Sequence, residues 1–129
     1  MIGVDRTFAQ KAELVADIGL LIYPGCALAA VYGLTDLFRL AEDWTGEPRR
    51  GIRVSHWQAD EAGVTCVWDS HPDMPHRLTH VISPPSIILP ERMAPPPAAA
   101  QWMKARHSDG AMLCSVCAGA FVLAETGLM

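Results

Sequence analysis

Cys117 is the residue of this sequence best placed to perform chemistry. It follows a short apolar run over residues 111–116 and precedes three small residues, Ala118, Gly119 and Ala120, that lead into a helical pattern. This order predicts a nucleophile elbow, a sharp strand-to-helix turn that holds a reactive side chain at its apex. Small residues suit the positions after the apex because helix and strand pack very closely there. The dipole of the following helix would favour a thiolate over a thiol.

Two other patterns could also suggest thiol or metal chemistry. Cys114 and Cys117 have the spacing of a thioredoxin-like motif, but in such a motif both cysteines lie at the start of a helix, and Cys114 falls inside the predicted strand. A zinc site needs about four ligands, and no second cysteine or histidine pair with matching spacing follows. His71 and His76 are expected in a solvated loop and His80 at a strand edge. The sequence therefore predicts no metal and no cofactor.

Composition and charge narrow the class of protein. Of the 129 residues, 50% are hydrophobic and 19% are charged, as in a globular domain. The net charge of −4 and the scattered arginines provide no basic face with which the domain could hold DNA by itself. No apolar run reaches the roughly 18 residues of a membrane span, and the first residues do not form a signal peptide. Four cysteines without a secretory signal favour free thiols in the cytoplasm.

Hydrophobic periodicity predicts alternating strands and helices. The predicted strands, read from short apolar or alternating runs, cover 18–23, 52–57, 63–68, 78–82 and 111–116. The predicted helices cover 27–42, 98–106 and a last segment that ends at Glu125. Residues 6–16 could form a short helix or a leader, and residues 46–51 a loop. The four tryptophans, Trp44, Trp57, Trp68 and Trp102, are expected in the core or an interface. The alternation implies a mostly parallel sheet with helices on both faces.

Several segments, taken in order, resemble one superfamily. Residues 115–128 resemble the cysteine elbow of the ThiJ/PfpI superfamily, also called class I glutamine amidotransferase-like. They are most similar to the version that forms the N-terminal domain of AraC-type transcriptional regulators. Residues 18–25 resemble its first strand and turn, residues 32–38 its first helix, and residues 80–86 the strand that faces the elbow. The resemblance covers nearly all of 17–129 and implies a flavodoxin-like three-layer α/β sandwich with a mostly parallel sheet.

The resemblance also implies which catalytic groups this chain lacks. Enzymatic members pair the elbow thiol with a carboxylate from the first helix, and Ala30 stands at that position. Many have a Pro-Gly-Gly segment that supplies an oxyanion N–H, whereas this chain has Pro84 and Pro85, and proline has no N–H. Ala118 replaces a hydrogen-bond donor that often follows the cysteine. The superfamily's histidine, when present, follows the elbow helix and is absent from this sequence.

These implications lead to one functional expectation and two alternatives. We expect residues 1–129 to be the ligand-sensing and dimerising domain of an AraC-family regulator, truncated after the elbow helix, with DNA bound only through a separate C-terminal helix-turn-helix domain. The protein would be a cytoplasmic homodimer without a membrane segment. A pocket for an unidentified small-molecule effector would be lined by Cys117, Ala118, Ala30, Pro84 and Pro85. The alternatives are an isonitrile hydratase-like or amidase/protease-like enzyme that uses Cys117, and a redox sensor in which Cys117 is oxidised reversibly.

Overall fold

The apolar run predicted as the first strand lies at the centre of a five-stranded sheet. A computed structural model describes residues 14–44 and 51–128, and in them the chain forms a mixed α/β fold with three helices. The strands are β1 (Leu14–Ile22), β2 (Gly51–Asp60), β3 (Gly63–Asp69), β4 (His80–Ser83) and β5 (Met112–Ser115). The helices are α1 (Leu28–Asp43), α2 (Pro97–Ser108) and α3 (Gly119–Ala124).

The order of the strands is β3-β2-β1-β4-β5. β1 runs parallel to β2 and β4, β4 runs parallel to β5, and β3 returns antiparallel to β2 as a hairpin. The order of the four parallel strands is compatible with a flavodoxin-like sandwich. Because β1, β4 and β5 are parallel, the loops that follow them meet at the carboxyl edge of the sheet. The loop before β4 and the end of α2 lie at the opposite, amino edge.

Helices cover both faces of the sheet, and two consecutive residues of β2, whose side chains point to opposite faces, show this. His56 contacts Thr35 of α1, whereas the ring of Trp57 stacks on that of Trp102 of α2 with 5.1 Å between centroids. Strands covered on both faces are expected to be continuously apolar. Accordingly, Leu20 and Leu21 are adjacent in β1 and both are fully buried.

Every predicted strand and helix is present in the described residues, but some bounds differ. β1 begins at Leu14 and pairs there with Gly51, so the helix or leader considered for 6–16 is wrong over 14–16, and the rest of it lies outside the described residues. The predicted loop 46–51 also lies outside them, except for Gly51, which begins β2. Trp44 is 86% exposed and is not a core residue, while the other three tryptophans pack against the core.

The helices of the described residues do not match a membrane span in length and hydrophobicity. Across 14–44 and 51–128, none is both long enough and apolar enough to cross a bilayer. The longest, α1, has 16 residues.

Candidate functional site

Cys117 occupies a strained turn between β5 and α3. Its side chain is exposed, and its backbone φ is 50°, in the left-handed region that residues other than glycine seldom adopt. Two residues later, Gly119 lies against the end of β4: a Cβ added there would be 2.2 Å from the Ser83 carbonyl oxygen and 2.5 Å from that of Pro84. The turn is therefore held directly against the end of β4, and only glycine fits at position 119.

The segment that Gly119 contacts uses its own carbonyl groups for structure. Ser83 O accepts a hydrogen bond from the Val116 N–H at 2.9 Å. Pro84 O accepts from the Tyr23 hydroxyl at 2.5 Å, and burial, assisted by nearby Cys26, raises the pKa of Tyr23 to about 12. The tyrosine is therefore protonated at neutral pH and remains a donor.

The same segment is tied to the start of α1. Pro85 O accepts from the Ala27 N–H at 2.7 Å, and Ala30 lies in the first turn of the helix, where its N–H donates to Ala27 O at 3.0 Å. The structure thus places the segments that carry all five predicted site residues at the carboxyl edge. Those residues are Cys117, Ala118, Ala30, Pro84 and Pro85, and Cys117 is the one whose side chain can ionise.

The other cysteines of this half of the fold differ from Cys117 in burial. Cys26 is buried where its backbone bridges that of Ser86, and burial raises the pKa of its thiol. Cys114 lies in β5, as predicted, and is half-buried, which also raises its thiol pKa. Cys114 and Cys117 therefore do not share a helix start, and Cys117 is the exposed member of the pair.

A buried arginine at the amino edge was not anticipated from the sequence. Arg53 is fully buried, and its Nε and Nη2 atoms donate to the two oxygens of Asp69 at 3.0 and 2.6 Å. Its Nη1 contacts Asp17 at 3.4 Å and Pro75 O at 2.8 Å, and Nη2 also donates to Met74 O at 2.8 Å. Burial alone would lower the pKa of Arg53, but the carboxylates outweigh this effect and raise it, so the guanidinium is charged.

Next to this arginine, three side chains could be mistaken for a metal site. Ligand atoms of Cys66, Asp69 and His76 lie within 4.8 Å of one another. However, both oxygens of Asp69 accept from Arg53, and His76 Nε2 lies 3.3 Å from one of them. Burial tends to raise the pKa of Asp69, but Arg53 outweighs it and lowers that pKa, whereas burial raises the thiol pKa of Cys66. A bound cation would have to compete with a guanidinium, so the cluster is better described as an ion-pair network.

A buried histidine lies on the other face of the sheet. The Thr35 hydroxyl donates its one proton to Val31 O at 2.8 Å, so it must accept from the Nε2–H of His56, also at 2.8 Å. The ring of His56 lies 4.8 Å from that of Trp68 and 5.9 Å from that of Tyr32. Burial lowers the pKa of His56, so this histidine is neutral and packs as part of the interior.

Comparisons with known proteins do not assign the chain to a family. No protein-family model matches it, and neither a curated protein nor a solved structure matches it. The resemblance to the ThiJ/PfpI superfamily therefore depends on the sequence segments given above. The roles that it implies for Cys117 and its neighbours enter below as proposals.

Proposed function

We propose that this chain is a ligand-sensing and dimerising domain of an AraC-family transcriptional regulator, with the ThiJ/PfpI version of the flavodoxin-like sandwich and a nucleophile elbow at Cys117 that is not catalytic. One observation carries the proposal. An exposed cysteine is held at a φ of 50°, yet the neighbouring positions predicted to form the site, Ala30, Pro84, Pro85 and Ala118, offer no acid or base. Strained backbone of this kind persists where the surrounding structure maintains it, often at binding sites.

The lack of catalytic groups supports sensing over acyl transfer. A thiol nucleophile needs a base to take its proton and two or more donors to stabilise the oxyanion. Ala30 cannot exchange a proton, and Pro84 and Pro85 cannot donate an N–H. Among the described residues, neither the Cys117 N–H nor the Ala118 N–H donates to a backbone carbonyl, so backbone donors remain beside the thiol while the predicted site positions supply no base. A thiol that no neighbouring base can deprotonate is suited to contacting an effector rather than transforming it.

The dimer in this proposal is supported by apolar surface on α1. Leu37, Leu40 and Trp44 follow one another at helical spacing and are 63%, 60% and 86% exposed. A run of exposed apolar residues on one helix face is typical of an interaction surface. A second exposed surface lies at one edge of the sheet. There, β5 pairs with β4 alone among the described strands, and Met112 of β5 is 61% exposed. Sedimentation equilibrium should give twice the 14.0 kDa of one chain, and a monomer at all concentrations would contradict this part.

The regulator half of the proposal is tested by the gene. Reading the open frame past Met129 should reveal a helix-turn-helix segment, which would supply the DNA contact that a domain with a net charge of −4 lacks. A stop codon with no such segment would overturn the regulator assignment without affecting the fold.

The exposed position of Cys117, which a sensing role requires, is tested by alkylation. Iodoacetamide should label one thiol quickly, because Cys117 is exposed while Cys26 is buried and Cys66 and Cys114 are half-buried with raised thiol pKa values. The fast phase should disappear in Cys117→Ser. If the fast label is found by mass spectrometry on another cysteine, the exposed-elbow geometry is wrong.

A cysteine enzyme is the second candidate, and the strained φ of Cys117 favours it because catalytic nucleophiles are often held this way. The two candidates differ in turnover. Ester, amide and isonitrile substrates should be converted no faster by the wild-type chain than by Cys117→Ser if the domain senses a ligand. Turnover that depends on Cys117 would replace the sensor proposal with the enzyme.

A further inference from the structure

A cavity at the amino edge of the sheet is distinct from the Cys117 site. It has a volume of about 390 Å³ and is lined by Trp57, His76, Arg77, Leu78, Arg106 and Asp109. Residues 76–78 lead into β4, and Arg106 and Asp109 end α2 just before β5. The cavity therefore opens at the edge opposite Cys117, and its volume falls within the range of about 300–1,000 Å³ that is typical of small-molecule sites.

The walls of this cavity are fixed before any ligand arrives. The buried Arg53 guanidinium binds the carbonyls of Met74 and Pro75, which immediately precede the lining residue His76. The Arg77 N–H donates to the buried Asp17 carboxylate at 3.2 Å. Because the backbone on both sides of His76 is anchored to buried groups, a ligand would lose little free energy in ordering this loop.

The charges around the cavity leave one cation without a partner. The Arg106 guanidinium lies 3.1 Å from the Asp109 carboxylate, and His76 Nε2 lies 3.3 Å from that of Asp69. In the part of the chain that the structure describes, the Arg77 side chain forms no hydrogen bond or ion pair, although its backbone is anchored. Of the two arginines in the lining, Arg106 is paired with Asp109 and Arg77 is not, so one guanidinium charge remains for a negatively charged ligand to balance.

The remaining walls are apolar. Leu78 is buried beneath the cavity, and the indole N–H of Trp57 donates to Ser55 Oγ at 2.8 Å. Because that donor is already used, Trp57 presents apolar surface to the cavity. The lining thus combines an arginine without a described side-chain partner with apolar surface from Trp57 and Leu78.

We propose that this cavity binds a small organic monoanion, a carboxylate with an apolar body, with Arg77 as its principal ion-pair partner and Trp57 and Leu78 in contact with the apolar part. The site is independent of the function proposed for Cys117.

Benzoate is a suitable probe, and two-dimensional NMR of the 15N-labelled chain detects its binding. Its addition should shift the indole signal of Trp57 and the amide signals of Arg77 and Leu78 along saturable curves. Removing a charged hydrogen-bond donor should weaken binding about 10-fold to 100-fold, so Arg77→Gln is expected to raise the Kd by at least about 10-fold. Benzamide, which has the same ring without the charge, should bind at least about 10-fold more weakly for the same reason.

Two control variants distinguish binding at this cavity from a general effect of charge and from binding near Cys117. Lys104→Gln removes an exposed cation from the same helix as Arg106, but Lys104 lines a different cavity, and because solvent and salt screen exposed charges the Kd should stay within about 2-fold. Cys117→Ser should also leave it unchanged. The proposal is overturned if the shifts do not saturate, if benzamide or inorganic phosphate binds as well as benzoate, or if Arg77→Gln and Lys104→Gln behave alike. Circular dichroism of each variant confirms that it is folded.

Discussion

Replacing Gly119 with alanine should destabilise the fold sharply, and the structure supplies the magnitude. The new Cβ would lie 2.2 Å from the Ser83 carbonyl oxygen and 2.5 Å from that of Pro84, whereas ordinary contacts of this kind are 3.4–4 Å. The carbonyls would have to retreat by about 1 Å, because backbone atoms cannot rotate away as a side-chain tip can.

That retreat would break existing hydrogen bonds. Ser83 O accepts from the Val116 N–H, and Pro84 O accepts from Tyr23. Overpacking typically costs about 1–3 kcal/mol, and a buried acceptor left without its donor costs about 1–3 kcal/mol more. We therefore expect Gly119→Ala to lower the free energy of unfolding by about 3 kcal/mol or more.

Gly33 provides the matched control, because it is also a helical glycine but has no atom within 4 Å of an added Cβ. Gly33→Ala should raise the free energy of unfolding by about 0.5–1 kcal/mol through helix propensity alone. Urea unfolding measures both changes, and with a slope of about 2 kcal/mol per molar the Gly119 variant should lose about 1.5 M in its midpoint. A Gly119→Ala variant within about 0.5 kcal/mol of wild type, the scatter of ordinary surface substitutions, would refute the close approach of the Cys117 turn to β4.

Two further predictions concern buried ionisable side chains. Because burial lowers the pKa of His56 below its unfolded value of about 6.5, the unfolded chain takes up a proton that the folded chain does not, and stability should fall as the pH drops below that value. Between about pH 7.5 and 5.5 the urea midpoint should drop less in His56→Gln than in wild type. An equal drop in both proteins would contradict a buried neutral histidine. Arg53→Met leaves Asp17 and Asp69 without their cation and should cost about 3–5 kcal/mol at pH 7. Because Arg53 lowers the pKa of Asp69, the stability that this pair provides is lost as the pH falls from the usual aspartate pKa of about 4 through the lowered pKa of Asp69, so the deficit should shrink there. A pH-independent deficit would indicate lost packing instead.

The sequence predicted the elements of this fold well because burial on both faces makes the parallel strands conspicuous. The run that became β1 is short and almost entirely apolar, that of β4 is short and contains Val81 and Ile82, and a proline, which cannot continue a ladder, follows each of them. The same reasoning failed at residues 14–16, which look helical by composition but pair with β2 from Leu14 onward. Strand pairing over a long separation carries no local signal, so the bound could not be read from the sequence.

The site was predicted unevenly for a related reason. The location of Cys117 in a turn between a strand and a helix could be predicted because an apolar run, small residues and a helical pattern follow one another locally. The role of Cys117 stays a prediction. Arg53 could not be found this way, because its partners Asp17, Asp69 and the carbonyls of Met74 and Pro75 come from three separate parts of the chain. A weaker signal was present, since Arg53 shares a strand face with Ser55 and Trp57 in a run that the alternation marks as half-buried.

The two edges of the sheet make different demands on a ligand. In open α/β sheets, ligands usually enter the crevice at the carboxyl edge where the strand order reverses, which here lies between β1 and β4. The Tyr23 hydroxyl bonds Pro84 O across that crevice, and the backbones of Gly25 and Ile87 are joined by a further hydrogen bond. These two bridges join β1 and β4 across the crevice, and the exposed Cys117 lies beyond them, after β5. A charged ligand would find its counterion at the amino edge, in Arg77, because the backbone there is already held in place by Arg53 and Asp17.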